Sequence, residues 1–153
     1  MRLSARAIVI KDNSLLVMGR NRFGLEFLAL PGGEIEPNET AEQAAHRELN
    51  EECMVEINNL RLVIIEDAGE VYGLQYIYLA DYVSGQPKLD DNSIEAQLNK
   101  QCKNLYEPKW LPLEKLKQSQ LLPAELKLKI VEFIENGFPQ KAVKLKISKD
   151  SKV

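Results

Sequence analysis

Residues 33–55 read GEIEPNETAEQAAHRELNEECMV, and this stretch decides both the fold and the chemistry that we expect. Glu48, Glu51 and Glu52 are spaced i, i+3 and i+4, which places them on one face of a helix. Three carboxylates on one face repel each other unless a positive charge lies between them. A hard divalent cation is the usual answer, because it takes oxygen ligands and is often held against substrate phosphates. The spacing therefore indicates a metal site.

The helix face that carries these acids is predicted to point towards the protein. At about 100° per residue, one side of the helix collects Ala41, Ala44, Ala45, Glu48, Leu49, Glu51 and Glu52. The other side collects Glu42, Gln43, His46, Arg47 and Asn50. A solvated charge run is the alternative, and we disfavour it because unpaired charges seldom point inward. Thr40 and Gln43 fit a capping box at the helix start.

The stretch resembles the Nudix box, whose pattern is G-x5-E-x7-R-E-U-x-E-E-x-G-U, with U an aliphatic residue. The matching residues are Gly33, Glu39, Arg47, Glu48, Leu49, Glu51, Glu52 and Val55. One fixed position departs, because Met54 stands where the pattern has glycine. A weaker match is Trp110-Leu111-Pro112-Leu113, which is similar to the W-x-P-L element late in Nudix domains. The resemblance is expected to span residues 3–136.

The resemblance implies an α/β protein with the Nudix fold, a mixed β-sheet sandwiched between α-helices. It also implies a Mg²⁺-dependent enzyme (with Mn²⁺ as the alternative) that hydrolyses a nucleoside diphosphate linked to another moiety. By position, Glu48, Glu51 and Glu52 would be the metal ligands, and Gly33 would offer its carbonyl. Arg47 would hold a glutamate carboxylate, and Glu39 would be an outer ligand or a support for the loop. Family members often dimerise, so a homodimer stays open.

Met54 is the departure that matters most for local geometry. A glycine just past a helix end usually adopts a left-handed conformation, and a residue with a side chain costs about 1 kcal/mol or more there. Either this helix ends differently or the strain is tolerated. All the expected ligands precede Met54, so we expect the metal site to survive.

Length and composition predict one domain, residues 1–140, followed by a basic tail, residues 141–153, that is solvated or frayed. The net charge of −3 gives no electrostatic argument for nucleic-acid binding, so a small nucleotide is the expected partner. Cys53 and Cys102 form no recognisable disulfide or zinc pattern, and Cys53 is expected to be buried. The chain shows no signal peptide and no membrane-spanning stretch, so the cytoplasm is the expected location.

Strand and turn signals predict three strands before the acidic helix and two after it. They are residues 3–10, 15–19, 25–30, 55–66 and 71–82, the last two joined by a turn at 67–69. Residues 20–24 read as a basic loop, residues 84–103 as a long polar loop, and Pro123 to Asn136 as a second helix. Strands interleaved with two helices indicate a mixed sheet between helical layers.

Three groups of residues outside the acidic helix are candidates for a role. Arg20 and Arg22 could bind phosphate, because guanidinium forks suit phosphate oxygens, or could be plain surface charge. Tyr76, Tyr78 and Tyr82 alternate onto one strand face and could stack on a base, although a face packed on a helix is the favoured interpretation. A general base could lie at Glu95, Asp90 or Asp91, with Glu95 slightly favoured over its neighbours and a solvated acidic loop as the alternative.

The sequence leaves the substrate open. A nucleoside triphosphate, an oxidised nucleotide and a diphosphate sugar such as ADP-ribose fit equally well, because the box handles the pyrophosphate and not the leaving group. A dinucleoside polyphosphate and a capped RNA end also stay open, although the absence of a basic surface argues against RNA. The competing hypothesis is a non-catalytic Nudix module that senses a nucleotide and regulates a partner. Loss of box acids would mark such a module, and Glu48, Glu51 and Glu52 are all present.

Overall fold

An eight-stranded mixed sheet forms the frame of the protein. The computed structural model describes residues 1–89, 95–97 and 104–148. The strands are β1 (Leu3–Lys11), β2 (Ser14–Arg22), β3 (Leu25–Ala29), β4 (Gly32–Glu34), β5 (Glu56–Asp67), β6 (Leu74–Ser84), β7 (Asn104–Pro112) and β8 (Val143–Lys146). The helices are α1 (Ala41–Cys53), the short α2 (Gly69–Tyr72) and α3 (Ala124–Asn136), with a 3-10 turn at Leu113–Lys115. Residues 95–97 are helical.

The strands follow the order β3-β2-β1-β6-β5-β8, with β4 paired to β1 and β7 paired to β2. The pairs β1–β6 and β5–β8 are parallel and the others are antiparallel. This arrangement confirms the predicted mixed sheet. It also places β4, which carries the two glycines that precede the acidic helix, against the start of β1.

Helices cover both faces of the sheet, because successive side chains of a strand point to opposite faces. On one face, Ala44 and Ala45 of α1 pack with Ala5 and Tyr78. On the other, Ile8, Ile64 and Ile77 pack with buried residues of α3, namely Leu126, Ile130 and Phe133. The sandwiched sheet is therefore confirmed. Among the described residues, no helix is long and apolar enough to cross a membrane.

Three predictions about local structure are wrong. Residues 20–22 belong to β2 and not to a loop, because Arg20 and Arg22 pair with Phe27 and Leu25 of β3. Residues 69–72 form α2, and β6 starts only at Leu74. Residues 143–146, expected in the frayed tail, form β8 on the edge of β5, since Val143 lies opposite Ile64. Alternating exposure in β8 and the buried Ile147 explain why this basic segment is ordered.

Two predicted features, the long loop at 84–103 and the tail at 141–153, fall partly outside the described residues. Most of the long loop at 84–103 lies there, including Asp90, Asp91 and Cys102. The described start of this loop packs on the end of α1, where the backbone N–H of Lys88 donates to the carbonyl oxygen of Cys53 at 2.9 Å. Cys53 itself is fully buried, as predicted.

Candidate active site

The acidic helix has the orientation that its sequence predicts. Thr40 caps α1: its side chain accepts from the backbone N–H of Gln43 at 3.1 Å, and the Gln43 side chain accepts from the N–H of Thr40 at 2.9 Å. Glu52 is buried at 8% exposure, together with Leu49, whereas His46 is exposed. The helix therefore turns Glu48 and Glu52 towards the protein and leaves its histidine in solvent, whereas Glu51, also predicted to face inward, is half exposed.

Two glycines in β4 let the backbone approach this helix closely. Gly32 has φ +145°, a conformation that side chains rarely adopt, and its N–H donates to Oε2 of Glu52 at 3.1 Å. A Cβ on Gly33 would lie 2.6 Å from the carboxyl carbon of Glu48. Only glycine at position 33 leaves room for that carboxylate.

Arg47 connects the loop before α1 to the acids on it. Its guanidinium donates to both carboxylate oxygens of Glu39, at 2.7 and 3.0 Å, and to the carbonyl oxygen of Glu34 at 3.1 Å. Its Nη1 also donates to Glu48 Oε1 at 2.9 Å and to Glu51 Oε2 at 3.3 Å. Because Arg has a planar fork of donors, one side chain fixes several acceptors at once. In this structure Glu39 supports the loop.

Burial and crowding set the protonation behaviour of the acids. Burial, and next the nearby charge of Glu48, raise the pKa of Glu52 to about 8. Burial also raises the pKa of Glu48, although Arg47 opposes that shift. The hydrogen bond from Arg47 lowers the pKa of Glu39. Ionisation of Glu48 and Glu52 is thus unfavourable in the absence of a cation. A bound cation would stabilise the ionised forms of both groups.

Glu95 lies beside the box acids. A cleft of about 310 Å³ is lined by Glu34, Ile35, Glu36, Pro37, Arg47, Glu48, Glu51 and Glu95. The structure thereby brings Glu95 to the same place as two of the expected metal ligands. The other two candidates for the base, Asp90 and Asp91, lie outside the described residues.

The described residues of this site have donor atoms that suit a hard divalent cation, but their side chains are not already arranged around a position for one. Among residues 1–89, 95–97 and 104–148, no three acidic, histidine or cysteine side chains already form a cluster that could hold a metal ion. Arg47 lies among the carboxylates in this arrangement. The donors are nevertheless carboxylate and carbonyl oxygens, as Mg²⁺ and Mn²⁺ prefer, and the missing Cβ of Gly33 keeps the Glu48 carboxylate close to the β4 backbone.

Met54 ends α1 in the left-handed conformation that the box reserves for glycine. Its φ and ψ are 53° and 37°, and its N–H donates to the carbonyl oxygens of Asn50 and Leu49. The helix therefore ends in the usual way, and the strain of a side chain at positive φ is tolerated. The Met54 side chain is 47% exposed, so little packing offsets that strain.

The two arginines predicted to bind phosphate differ in their surroundings. Arg20 is partly buried, donates to Asn104 Oδ1 at 2.8 Å, and places its guanidinium carbon 3.9 Å from the ring centre of Tyr106. Arg22 is exposed. Both line a cavity of about 260 Å³ with Arg2 and Arg6. Arg20 is therefore not plain surface charge, while a role for either residue in binding phosphate stays a prediction.

Three residues of this cavity were missed by sequence reasoning: Arg6, Glu66 and Gln75. Arg6 donates to Gln75 Oε1 at 2.8 Å and to the carbonyl oxygen of Leu30 at 2.8 Å, which links the cavity to the glycine loop. Two of these residues could have been found from the sequence, because each is a charged residue inside an apolar strand. The stretches are SARAIVI for Arg6 and LVIIED for Glu66.

The tyrosine face of β6 packs against protein. Tyr78 is buried with Ala44 and Ala45 of α1. Tyr82 contacts Trp110 edge to face, with ring centres 5.8 Å apart, and its hydroxyl donates to the carbonyl oxygen of Gly85. These contacts match the favoured interpretation of a sheet face covered by a helix.

The fold and the site define a class of protein in which a sheet lies between helices and an acidic helix follows a glycine loop. Comparison with known proteins agrees with this class. Residues 1–135 match the family model of the NUDIX domain, so the chain belongs to the NUDIX domain family. This result confirms the resemblance found in the box, including its extent over most of the chain.

The individual relatives share only limited sequence identity with this chain. The NAD-capped RNA hydrolase NudC of Edwardsiella ictaluri is 35% identical over 75 residues, which make up 49% of this chain and 29% of that protein. The match thus spans less than a third of the relative's length. A MutT NUDIX hydrolase from Burkholderia pseudomallei has a TM-score of 0.64 at 23% identity, covering 84% of this chain and 95% of that chain. A NUDIX hydrolase from Nitrosomonas europaea has a TM-score of 0.67 at 20% identity, covering 90% of each chain. These structures confirm the fold.

Proposed function

We propose that this protein is a divalent-metal-dependent pyrophosphohydrolase that cleaves a nucleoside diphosphate linked to another moiety. One observation carries the proposal: two carboxylates with raised pKa, Glu48 and Glu52, lie against a glycine strand where a Cβ on Gly33 would collide with Glu48. A protein gains nothing in stability from crowding acids in this way. Membership of the NUDIX family supports the same activity.

Glu48, Glu51 and Glu52, together with the carbonyl of Gly33, would hold Mg²⁺ or Mn²⁺. When bound, such an ion neutralises phosphate charge and lowers the pKa of bound water. The chain's own residues prepare for this. Arg47 fixes the carboxylates of Glu48 and Glu51, and the N–H of Gly32 fixes that of Glu52.

Glu95 is the residue that we assign as general base. Glu95 lines the same cleft as Glu48 and Glu51, and its charge acts on Glu48 and Glu52. In the reaction, water attacks a phosphorus atom, the water proton passes to the base, and the bond from phosphorus to the bridging oxygen breaks. A carboxylate near the attacking water can take that proton.

The arginine-lined cavity next to Leu30 is the proposed place for the nucleoside part of the substrate. Arg6 connects it to the glycine loop, and Arg20 and Arg22 supply charge that complements phosphate. The substrate candidates are a nucleoside triphosphate, an oxidised nucleotide, or ADP-ribose and similar nucleotide sugars. The name of the E. ictaluri relative adds NAD-capped RNA to the compounds that should be tested.

The test is product release from a panel of these compounds, with and without Mg²⁺, in the wild type and in Glu52→Gln. We expect Mg²⁺-dependent cleavage of at least one compound and its loss in Glu52→Gln, because the amide cannot replace a charged ligand. His46→Gln, on the exposed side of the same helix, is the matched control and should keep full activity. Tight nucleotide binding without turnover in the wild type would instead favour the sensor hypothesis.

A further inference from the structure

The arginine-lined cavity contains a carboxylate that the reaction does not use. Glu66 on β5 is 5% exposed and lines the cavity of about 260 Å³. Its Oε1 is buried and has no hydrogen-bond partner among the residues that the structure describes. A buried acceptor without a donor is unfavourable by itself, so its position requires an explanation.

The neighbours of Glu66 do not supply that donor. Arg6, whose charge opposes the rise in the pKa of Glu66, donates to Gln75 Oε1, to the carbonyl oxygen of Leu30 at 2.8 Å and to that of Gly32 at 3.5 Å. Gln75 in turn donates its Nε2 to the carbonyl oxygen of Tyr72 at 3.1 Å. Burial, and to a smaller extent the nearby charge of Glu125, raise the pKa of Glu66 to about 7 in spite of Arg6. Among the described residues that line the cavity, Oε1 of Glu66 is thus a buried acceptor without a partner, and Nε of Arg20 is a buried donor without one.

The other residues that line the cavity indicate what kind of ligand would donate the missing hydrogen bond to Glu66. Four guanidinium groups, on Arg2, Arg6, Arg20 and Arg22, favour an anionic group. Apolar side chains, among them Phe27, Leu30 and Leu126, favour a flat apolar body. A ligand that also presents an N–H to Glu66 combines all three properties, and a nucleotide whose base carries an exocyclic amino group has this composition.

We propose that Glu66 determines base specificity, by accepting a hydrogen bond from the exocyclic amino group of the substrate's base. This inference rests on the proposed function, since it places the nucleoside in this cavity. A site built around a hydrogen bond to the ligand rejects an analogue that lacks the donor, because its buried polar group is then left unpaired. Nucleotides with an amino group on the base should therefore bind more tightly than their deamino analogues.

The test compares the binding of monophosphates that differ only by one amino group. The two pairs are GMP with IMP, and AMP with purine riboside monophosphate, titrated by calorimetry against the wild type, Glu66→Gln and Glu66→Met. In at least one pair the wild type should prefer the amino form by roughly tenfold or more. The preference should shrink in Glu66→Gln, which keeps a neutral acceptor, and vanish in Glu66→Met, which has none.

Glu70→Gln is the matched control, because it removes the same charge from an exposed position a few residues away and should keep the wild-type preference. Both Glu66 variants should melt no lower than the wild type, since each removes a buried carboxylate without a partner. The proposal is overturned if the wild type shows no preference in either pair, binds none of the four compounds, or shares its preference with Glu66→Met. Monophosphate binding needs no turnover, so these outcomes are separate from a failure of Mg²⁺-dependent hydrolysis.

Discussion

Arg47 and Glu39 form a two-pronged ion pair, with Nε 2.7 Å from Oε2 and Nη2 3.0 Å from Oε1. The pair joins α1 to the loop that precedes it, and it leaves Nη1 directed at Glu48 and Glu51. The hydrogen bonds that Arg47 donates to Glu39 hold the pKa of Arg47 well above its usual range. We therefore expect Arg47 to act as a positioning residue, through its geometry as well as its charge.

Replacement of Arg47 by lysine separates these two contributions. Lysine keeps the charge but has one nitrogen instead of a fork, so it cannot hold Glu39 in two places and also reach Glu48. We expect kcat/KM to fall by roughly 10- to 100-fold, as is typical when a partner of metal ligands is lost. Part of the loss should be recovered at higher Mn²⁺ concentration, an effect that a purely structural role would not produce.

Arg61→Lys is the control for this prediction. Arg61 also anchors a loop, because it donates to the carbonyl oxygen of Pro139 at 2.6 Å, but it lies away from the acidic helix. Its replacement should lower Tm without changing the Mn²⁺ dependence of turnover. Equal kinetics for Arg47→Lys and the wild type would contradict a positioning role for Arg47.

Gly33→Ala tests whether the close approach of β4 to Glu48 matters for the site. The added Cβ would lie 2.6 Å from the carboxyl group of Glu48, so that side chain has to move. We expect at least a tenfold loss of kcat/KM and weaker Mn²⁺ binding by calorimetry, with the fold retained. The control is Gly137→Ala at the end of α3, where φ is +100° and no atom lies within 4 Å. That variant should be strained by about 1 kcal/mol and yet keep full activity.

The parts of this molecule that could be predicted from sequence are those set by local periodicity and spacing. The carboxylates of α1 and its capping box depend on residues a few positions apart, so Thr40, Gln43 and Glu52 were placed correctly. The failures depend on distant partners. The strand β8 exists because β5 offers an unpaired edge to Val143, and no signal near Val143 describes that edge.

The arginine-lined cavity could not be predicted for the same reason. Arg6, Glu66 and Gln75 come from three different strands, and they meet only because β1 and β5 both pair with β6. Arg20 was selected from its chemistry, but its stacking on Tyr106 follows from the pairing of β2 with β7, which is a long-range contact. The sequence therefore predicts the candidate site on helix α1, but it does not predict the cavity that residues of several strands form together.

Met54→Gly should stabilise the protein. Relief of the left-handed strain contributes about 1–2 kcal/mol, and the greater freedom of glycine in the unfolded chain offsets about 0.5–1 kcal/mol of it. The net gain of about 1 kcal/mol corresponds to a rise in Tm of about 2–4 °C for a chain of this size. Met54→Ala removes the same side chain without relieving the backbone, so it should give no gain. An equal rise in both variants would show that the exposed side chain, and not φ, is responsible.

Glu66→Gln should change stability in a pH-dependent way. The pKa of Glu66 is raised by burial to about 7 from an ordinary 4.5, so between these values the folded protein holds a proton that the unfolded chain has released. The free energy of unfolding of the wild type therefore falls as pH rises through this window, by up to about 3 kcal/mol. The glutamine variant lacks this titration, so its free energy of unfolding should match that of the wild type near pH 4.5 and exceed it near pH 8.

Urea unfolding at both pH values measures this difference. Glu70→Gln is the exposed control, and its free energy of unfolding should differ from that of the wild type by less than about 0.5 kcal/mol at either pH. A stability difference for Glu66→Gln that is the same at both pH values would mean that folding does not raise the pKa of Glu66.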